Sequence, residues 1–129
     1  MVVDDDATTL EVTSALLEQR GYEVLKRESA LGTTLAILRD QPDVVLLDIQ
    51  MPGISGDKLV EVAGPKKARA SVILLHSARP RPELEALAKR CGAAGAIEKT
   101  GDPHEFIKRF EQALVTHRRG VDAARQRRR

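Results

Sequence analysis

The stretch VVLLDIQMPGISG, Val44–Gly56, decides how the rest of the chain is read. Its four leading apolar residues have no polar break, as in a strand buried on both faces of a parallel sheet. The run ends on Asp48, and Pro52, Gly53 and Gly56 follow within eight residues. Proline and glycine there shape an open turn, which leaves the carboxylate accessible at a sheet edge and lets backbone come close to it.

Outward from this stretch, strand and helix alternate. MVV is a short apolar start. Asp6–Arg20 predicts a helix with Leu10, Val12, Ala15, Leu16 and Leu17 on its apolar face and Gly21 as its stop. YEVLK, Tyr22–Lys26, predicts a strand. Ser29 is placed to cap a second helix whose apolar stripe is Leu31, Leu35 and Leu38, with Pro42 ending it. A short helix is expected over Gly56–Val62, closed by Gly64 and Pro65. SVILL, Ser71–Leu75, is another buried strand, and Leu84, Leu87, Ala88 and Cys91 form a helical stripe ended by Gly92. AGAI, Ala94–Ile97, is a weak strand. Asp102, Pro103 and Glu105 have the order of cap, first-turn proline and capping-box acid, and Phe106, Ile107, Phe110 and Leu114 follow as an apolar face. Five strands, each followed by a helix, predict an α/β fold with helices on both faces of a parallel sheet.

Composition narrows the function classes. The 129 residues suit one domain with a core large enough to need no disulfide or metal. Tyr22, Phe106 and Phe110 are the only aromatic residues of the Phe, Tyr and Trp class, which excludes a stacking platform for single-stranded nucleic acid. Cys91 is alone, no apolar run approaches the roughly 20 residues of a membrane span, and the N-terminus lacks a signal-peptide layout. The expectation is a soluble cytoplasmic protein without membrane contact. Charge is uneven: Thr116–Arg129 holds six arginines and one aspartate, while the remainder has 15 basic and 18 acidic residues. The body, residues 1–115, is expected to be the folded domain. Residues 116–129 are expected to form a basic extension that finishes the last helix and is disordered beyond about Gly120. Nucleic acid would meet that extension only non-specifically.

Parallel sheets place their sites at the carboxyl ends of the strands. Those ends hold Asp4, Asp5 and Asp6 after the first strand, Asp48 after the third, His76 and Ser77 after the fourth, and Lys99 after the fifth. Singly, each has an ordinary explanation: the acids cap a helix or a turn, the serine sits in a turn, the lysine is solvated. Jointly they bring carboxylates, a hydroxyl and an ammonium to one edge. Clustered carboxylates repel, and a hard divalent cation such as Mg²⁺ relieves the repulsion. A carboxylate in such a site can attack a phosphoryl donor, with metal, lysine and hydroxyl receiving the new charge.

VVDDD, VVLLDIQMPGISG, VILLHSA and GAAGAIEKT together resemble the response-regulator receiver domain of two-component signalling. The resemblance covers Met1 to about Val115. It implies a flavodoxin-like, doubly wound five-stranded parallel sheet of order 2-1-3-4-5 with five helices. It implies Asp48 as phosphoacceptor and Ser77 and Lys99 as the hydroxyl and cation that answer the phosphoryl group. Mg²⁺ would be held by Asp5, Asp48 and the backbone carbonyl of Gln50, with Asp4 assisting through water. The implied donor is a histidine kinase or phosphotransfer protein. The implied output is a downstream protein target, or an output domain outside this chain, engaged by the surface around the fourth helix, fifth strand and fifth helix. Such a domain is a switch rather than an enzyme, with at most slow self-dephosphorylation.

Three positions depart from the family pattern. Ala96 replaces the usual aromatic or histidine three residues before the lysine, Thr100 replaces the proline after it, and Ser77 replaces the commoner threonine. An alanine cannot swing inward as a ring does, and a non-proline at 100 makes a cis bond unexpected. The missing aromatic lends weak support to an alternative within the same fold, a phosphate-independent interaction module, while the intact acids, Ser77 and Lys99 argue against it. The start MVVDDDAT also resembles the D-x-D-x-T opening of haloacid-dehalogenase-type phosphatases, through Asp4, Asp6 and Thr8.

Overall fold

The computed structural model describes residues 1–50 and 71–127. The expected helix over Gly56–Val62, and the turn residues Pro52, Gly53 and Gly56, lie outside the described residues. The described elements are β1 (Val2–Val3), α1 (Ala7–Gln19), β2 (Lys26–Arg27), α2 (Thr33–Asp40), β3 (Val44–Asp48), β4 (Val72–Ser77), α3 (Arg81–Cys91), β5 (Gly95–Glu98) and α4 (Pro103–Arg127). The strands form one sheet of order β2-β1-β3-β4-β5, every pair parallel. Four helices are therefore described, against the five expected.

The sheet buries both faces, and the strand period of two sorts its residues between them. Val45, Leu47, Ile73 and Leu75 point to the side covered by Leu84, Leu87 and Cys91 of α3. Leu46, Leu74 and Ile97 point to the side covered by Leu10 and Leu17 of α1 and Phe106 and Phe110 of α4. The two apolar runs thus occupy the two strands with most pairing, β3 and β4, matched from Val44↔Val72 to Asp48↔His76.

β1 is only two residues long, yet it is pinned on both sides. Leu46 N–H donates to Met1 O at 2.9 Å and Asp4 N–H to Arg27 O at 3.0 Å. Its length limits β2, which forms at Lys26–Arg27 rather than across Tyr22–Lys26. Tyr22 instead lays its ring edge-on against Phe110, with centroids 5.5 Å apart.

The second helix corrects the sequence reading. Leu31, Leu35 and Leu38 face solvent, at 86%, 72% and 67% exposure, while Thr33 and Ala36 are buried. Polar contacts at the entry turn set this phase. Arg27 Nε donates to Thr33 Oγ1 at 3.2 Å, and that hydroxyl donates to Ser29 O at 3.0 Å. Thr33 is thereby drawn inward, Ala36 follows one turn later, and the leucines fall on the opposite side. Gly32, in the left-handed region at φ 77°, is the N-cap instead of Ser29.

α1 starts as expected: Asp6 Oδ1 accepts the Thr8 N–H at 3.1 Å and Oδ2 the Thr9 hydroxyl at 2.8 Å. α3 ends on Gly92 at φ 73°, the left-handed C-cap that glycine favours. At α4, Asp102 Oδ1 accepts the His104 N–H at 2.9 Å, but the reciprocal half of the expected capping box is replaced. Thr100 Oγ1 accepts the Asp102 N–H at 3.2 Å, and Glu105 pairs with Arg109 at 3.0 Å.

α4 continues to Arg127, past Gly120 where order was expected to end. Arg118, Arg119, Arg125 and Arg127 are exposed on this extension, and none makes an ion pair among the described residues. No described helix is long and apolar enough to cross a membrane. A β-carbon at Gly120 would meet nothing within 4 Å. Gly120→Ala should therefore raise helical content by circular dichroism and stabilise by about 0.5–1 kcal/mol. A helix that ended at Gly120 would show no gain.

Candidate functional site

Parallel pairing brings the carboxyl ends of β1, β3, β4 and β5 to one edge, and each ends on, or is followed directly by, a residue with a polar side chain. Lys99, just past β5, reaches across the edge. Its Nζ lies 3.0 Å from Asp4 Oδ2 and 3.3 Å from Asp48 Oδ2. Both carboxylates are buried, at 1% and 3% exposure, so the lysine supplies the positive charge they would otherwise lack.

The remaining carboxylate oxygens are held by backbone. Asp48 Oδ1 accepts the Gln50 N–H at 2.9 Å, and Asp4 Oδ1 accepts the Asp6 N–H at 3.0 Å. Each acid thus closes a short turn at the end of its strand and presents its second oxygen to Lys99. Asp5 is exposed, and ligand oxygens of Asp4, Asp5 and Asp48 all lie within 4.8 Å of one another.

Three carboxylates against one ammonium leave two net negative charges in a set of hard oxygen donors. That fits a divalent cation which takes oxygen ligands and keeps part of its water shell. Asp6 is not part of the set, because both its oxygens are engaged in capping α1. This removes the second aspartate that a D-x-D-x-T phosphatase would need.

Burial raises the Asp48 pKa above the ordinary carboxylate value, opposed by the Gln50 N–H and by Lys99, with nearby Asp4 adding to the rise. Burial alone would lower Lys99. The hydrogen bond to Asp4 and the charges of Asp48 and Asp4 outweigh it, and the lysine pKa is raised. Both shifts have one origin: a cation and an anion-rich pocket taken partly out of water together.

Ser77 ends β4 fully buried, and its Oγ accepts the Arg79 N–H at 3.2 Å. Its carbonyl accepts the Lys99 N–H at 2.7 Å, which ties the hydroxyl-bearing strand to the lysine-bearing one. Gln50 and Arg79 are exposed at the rim.

His76, expected at the same strand end as Ser77, does not join the cluster. It is buried beside Phe106, with ring centroids 5.3 Å apart, on the α1–α4 side of the sheet. Burial, and then the charge of Lys99, lowers its pKa to about 4 against the pull of Asp4. At neutral pH it is an uncharged ring that adds nothing to the site's charge. The alternation along β4 was the available signal, since it puts His76 on the same face as Leu74.

The comparisons agree with this geometry. The family model for the response regulator receiver domain matches residues 1–111. Protein PilH of Pseudomonas aeruginosa is 30% identical over 117 residues, covering 89% of this chain and 96% of PilH. The phosphate regulon transcriptional regulatory protein PhoB of the same organism is 29% identical over 115 residues, covering 88% of this chain but only 50% of PhoB. Among solved structures, a response regulator described as putative from Chloroflexus aurantiacus superposes with a TM-score of 0.74 at 26% identity, covering 88% of this chain and 94% of that one. The chemotaxis protein CheY4 of Vibrio cholerae shares the fold, with a TM-score of 0.74 at 23% identity and coverage of 87% and 94%. The chain belongs to the response regulator receiver domain family of two-component signalling.

Proposed function

We propose that this domain is a phosphorylation-controlled switch in which Asp48 takes a phosphoryl group from phosphohistidine on a histidine kinase or phosphotransfer protein. The observation that carries the reading is the position of Lys99, bonded at once to Asp4 and to the proposed acceptor. A carboxylate oxygen of Asp48 bonds to phosphorus while the phosphorus–nitrogen bond breaks, and the electron pair leaves with the imidazole. Lys99 stays beside the new acyl phosphate and offsets its charge. Ser77 moves toward a phosphoryl oxygen and donates its hydroxyl proton in a hydrogen bond.

Mg²⁺ is the proposed cofactor, held by Asp5, Asp48 and the carbonyl of Gln50, with Asp4 reached through water. When bound it supplies charge neutralisation for the phosphoryl oxygens. The chain's own contribution is to keep Asp4 and Asp48 buried, close and oriented. Nothing in this arrangement calls for turnover beyond slow loss of the phosphoryl group to water, and a cytoplasmic location suits the proposed donor.

Ala96 offers no ring to carry the signal outward. The proposed route uses the contacts that flank Ser77. Its carbonyl bond to Lys99 N–H moves β5, and His76 against Phe106 moves α4. The surface so biased is the face formed by α3, β5 and α4. There Ala93, Ala94, Gly95 and Ala96 floor a groove of about 960 Å³ between the helices, where a downstream protein or output domain would bind.

Incubation with acetyl phosphate and Mg²⁺ tests the acceptor. Intact mass should rise by one phosphoryl group and should not do so in Asp48→Asn; uptake that persists in that variant would remove Asp48 from the role. Lys99→Met should slow uptake on the order of 10²-fold, the usual cost of losing one charge-stabilising donor. Mg²⁺ should raise the wild-type Tm, chelator should reverse the rise, and Asp5→Asn should reduce it.

The raised Asp48 pKa gives a stability test without metal. A carboxyl whose folded pKa lies above its unfolded one stabilises the fold below the unfolded value, and that contribution is lost as pH rises through the folded value. Asp48→Asn avoids the loss. Its Tm should exceed the wild type near pH 7. The gap should close as pH falls below the ordinary aspartate range, and a gap independent of pH would contradict the assignment.

A further inference from the structure

We propose that the end of α4, residues 117–127, is a docking surface for an acidic amphipathic helix of a partner protein. Ile107, Phe110, Leu114, His117, Val121 and Ala124 follow one another at alternating spacings of three and four, the period of a helix–helix seam. All lie within α4. The first half of the seam is covered by the domain itself: Phe110 is buried, and Ile107 and Leu114 pack with it on the core. The second half belongs to neither core cluster among the described residues, and Val121 is 38% exposed. His117, Val121 and Ala124 instead wall a cleft of about 610 Å³ with Ser71, Val72 and Gly92. The cleft sits at the amino end of β4, away from the carboxyl-end cluster of Asp4, Asp48 and Lys99.

Charge selects the occupant. Arg118 and Arg125 each follow a seam residue by one position and so share one shoulder of the seam, while the helical repeat sets Arg127 on the other. All three are exposed, and none makes an ion pair among the described residues. An apolar seam with arginine on both shoulders complements a helix that carries its own apolar seam between Asp and Glu side chains. Gly120 lies beside the seam, and a β-carbon there would meet nothing within 4 Å, so a partner helix can come close. A second copy of the chain fits poorly, because it brings arginine shoulders together with Asp122 as the sole acid of residues 116–127. Nucleic acid would answer the arginines and leave the apolar cleft unfilled. None of these residues belongs to the strand-end site, so the inference stands or falls apart from the phosphorylation reading.

The probe is a synthetic amphipathic helix with leucines at three-four spacing and glutamate on both shoulders, titrated with the whole chain and followed by fluorescence anisotropy. It should bind with a Kd on the order of 10–100 μM, weakened about tenfold between roughly 50 and 500 mM salt. A scrambled peptide of the same composition should bind about tenfold more weakly, and one with lysine in place of glutamate should not bind. Val121→Glu should abolish binding and the pair Arg118→Glu, Arg125→Glu should weaken it at least about tenfold, both with an unchanged thermal transition by circular dichroism. Amide shifts on binding should gather at Val72, Gly92 and residues 117–124. No binding up to about 1 mM, equal binding of the scrambled peptide, or indifference to Val121→Glu would each overturn the proposal. So would tighter binding to a DNA duplex than to the peptide, or a dimer of the chain alone that Val121→Glu dissolves.

Discussion

The ammonium of Lys99 between Asp4 and Asp48 is the contact on which the rest of the site depends. Two buried carboxylates from β1 and β3 could not stand this close in a low-dielectric edge without a cation between them. The lysine comes from the end of β5, three strands away from β1 in the sheet order. Its reach therefore requires β3, β4 and β5 to hold register, which the paired runs Val44–Asp48 and Val72–Ser77 provide. Electrostatics at the edge and packing in the core are one problem: a slip of one residue in β3 would send Asp48 to the opposite face and break the bridge.

The same geometry separates roles among side chains that look alike. Asp4, Asp5 and Asp6 are consecutive acids with three different fates. Asp4 turns inward to Lys99, Asp5 stays at the surface within reach of the cluster, and Asp6 caps α1. The capping bonds orient α1 directly after the buried acid, and the Asp6 N–H in turn holds Asp4 Oδ1. Helix start and site are thus linked through one hydrogen bond, from the Asp6 backbone to the Asp4 carboxylate.

How far the sequence could be read follows from what each signal encodes. VVLLD and SVILL were legible because a strand buried on both faces needs an unbroken apolar run, and few other structures do. The edge cluster was legible because parallel strands send all their carboxyl ends one way. The division of labour among the three acids was not, since it turns on side-chain direction within a turn. The leucines of α2 show the limit of periodicity most clearly. Their spacing predicts a buried stripe; Leu31 falls before the helix, and Leu35 and Leu38 share its outer side, because spacing carries no information about which side meets the core. That was settled by Arg27, which holds Thr33 inward from a neighbouring element. β2 shifted for a similar reason: its extent is limited by its partner β1, not by the β-propensity of Tyr22–Lys26.

The departures from the family pattern bear on how a change at Asp48 could be felt at a distance. With alanine at 96, that position has no ring whose swing could report the state of the edge. What remains near Ser77 is backbone and ring packing. The Ser77 carbonyl holds the Lys99 N–H, and His76 presses on Phe106, which is itself 6.0 Å from Phe110 along the buried face of α4. A neutral histidine suits that place, because a charge there would repel Lys99 and draw Asp4 away from it. Since α4 runs on to Arg127, any tilt imposed at Phe106 is multiplied along a 25-residue lever. A rigid helix anchored at one end converts a displacement too small for a rotamer switch into a larger one at its basic tip.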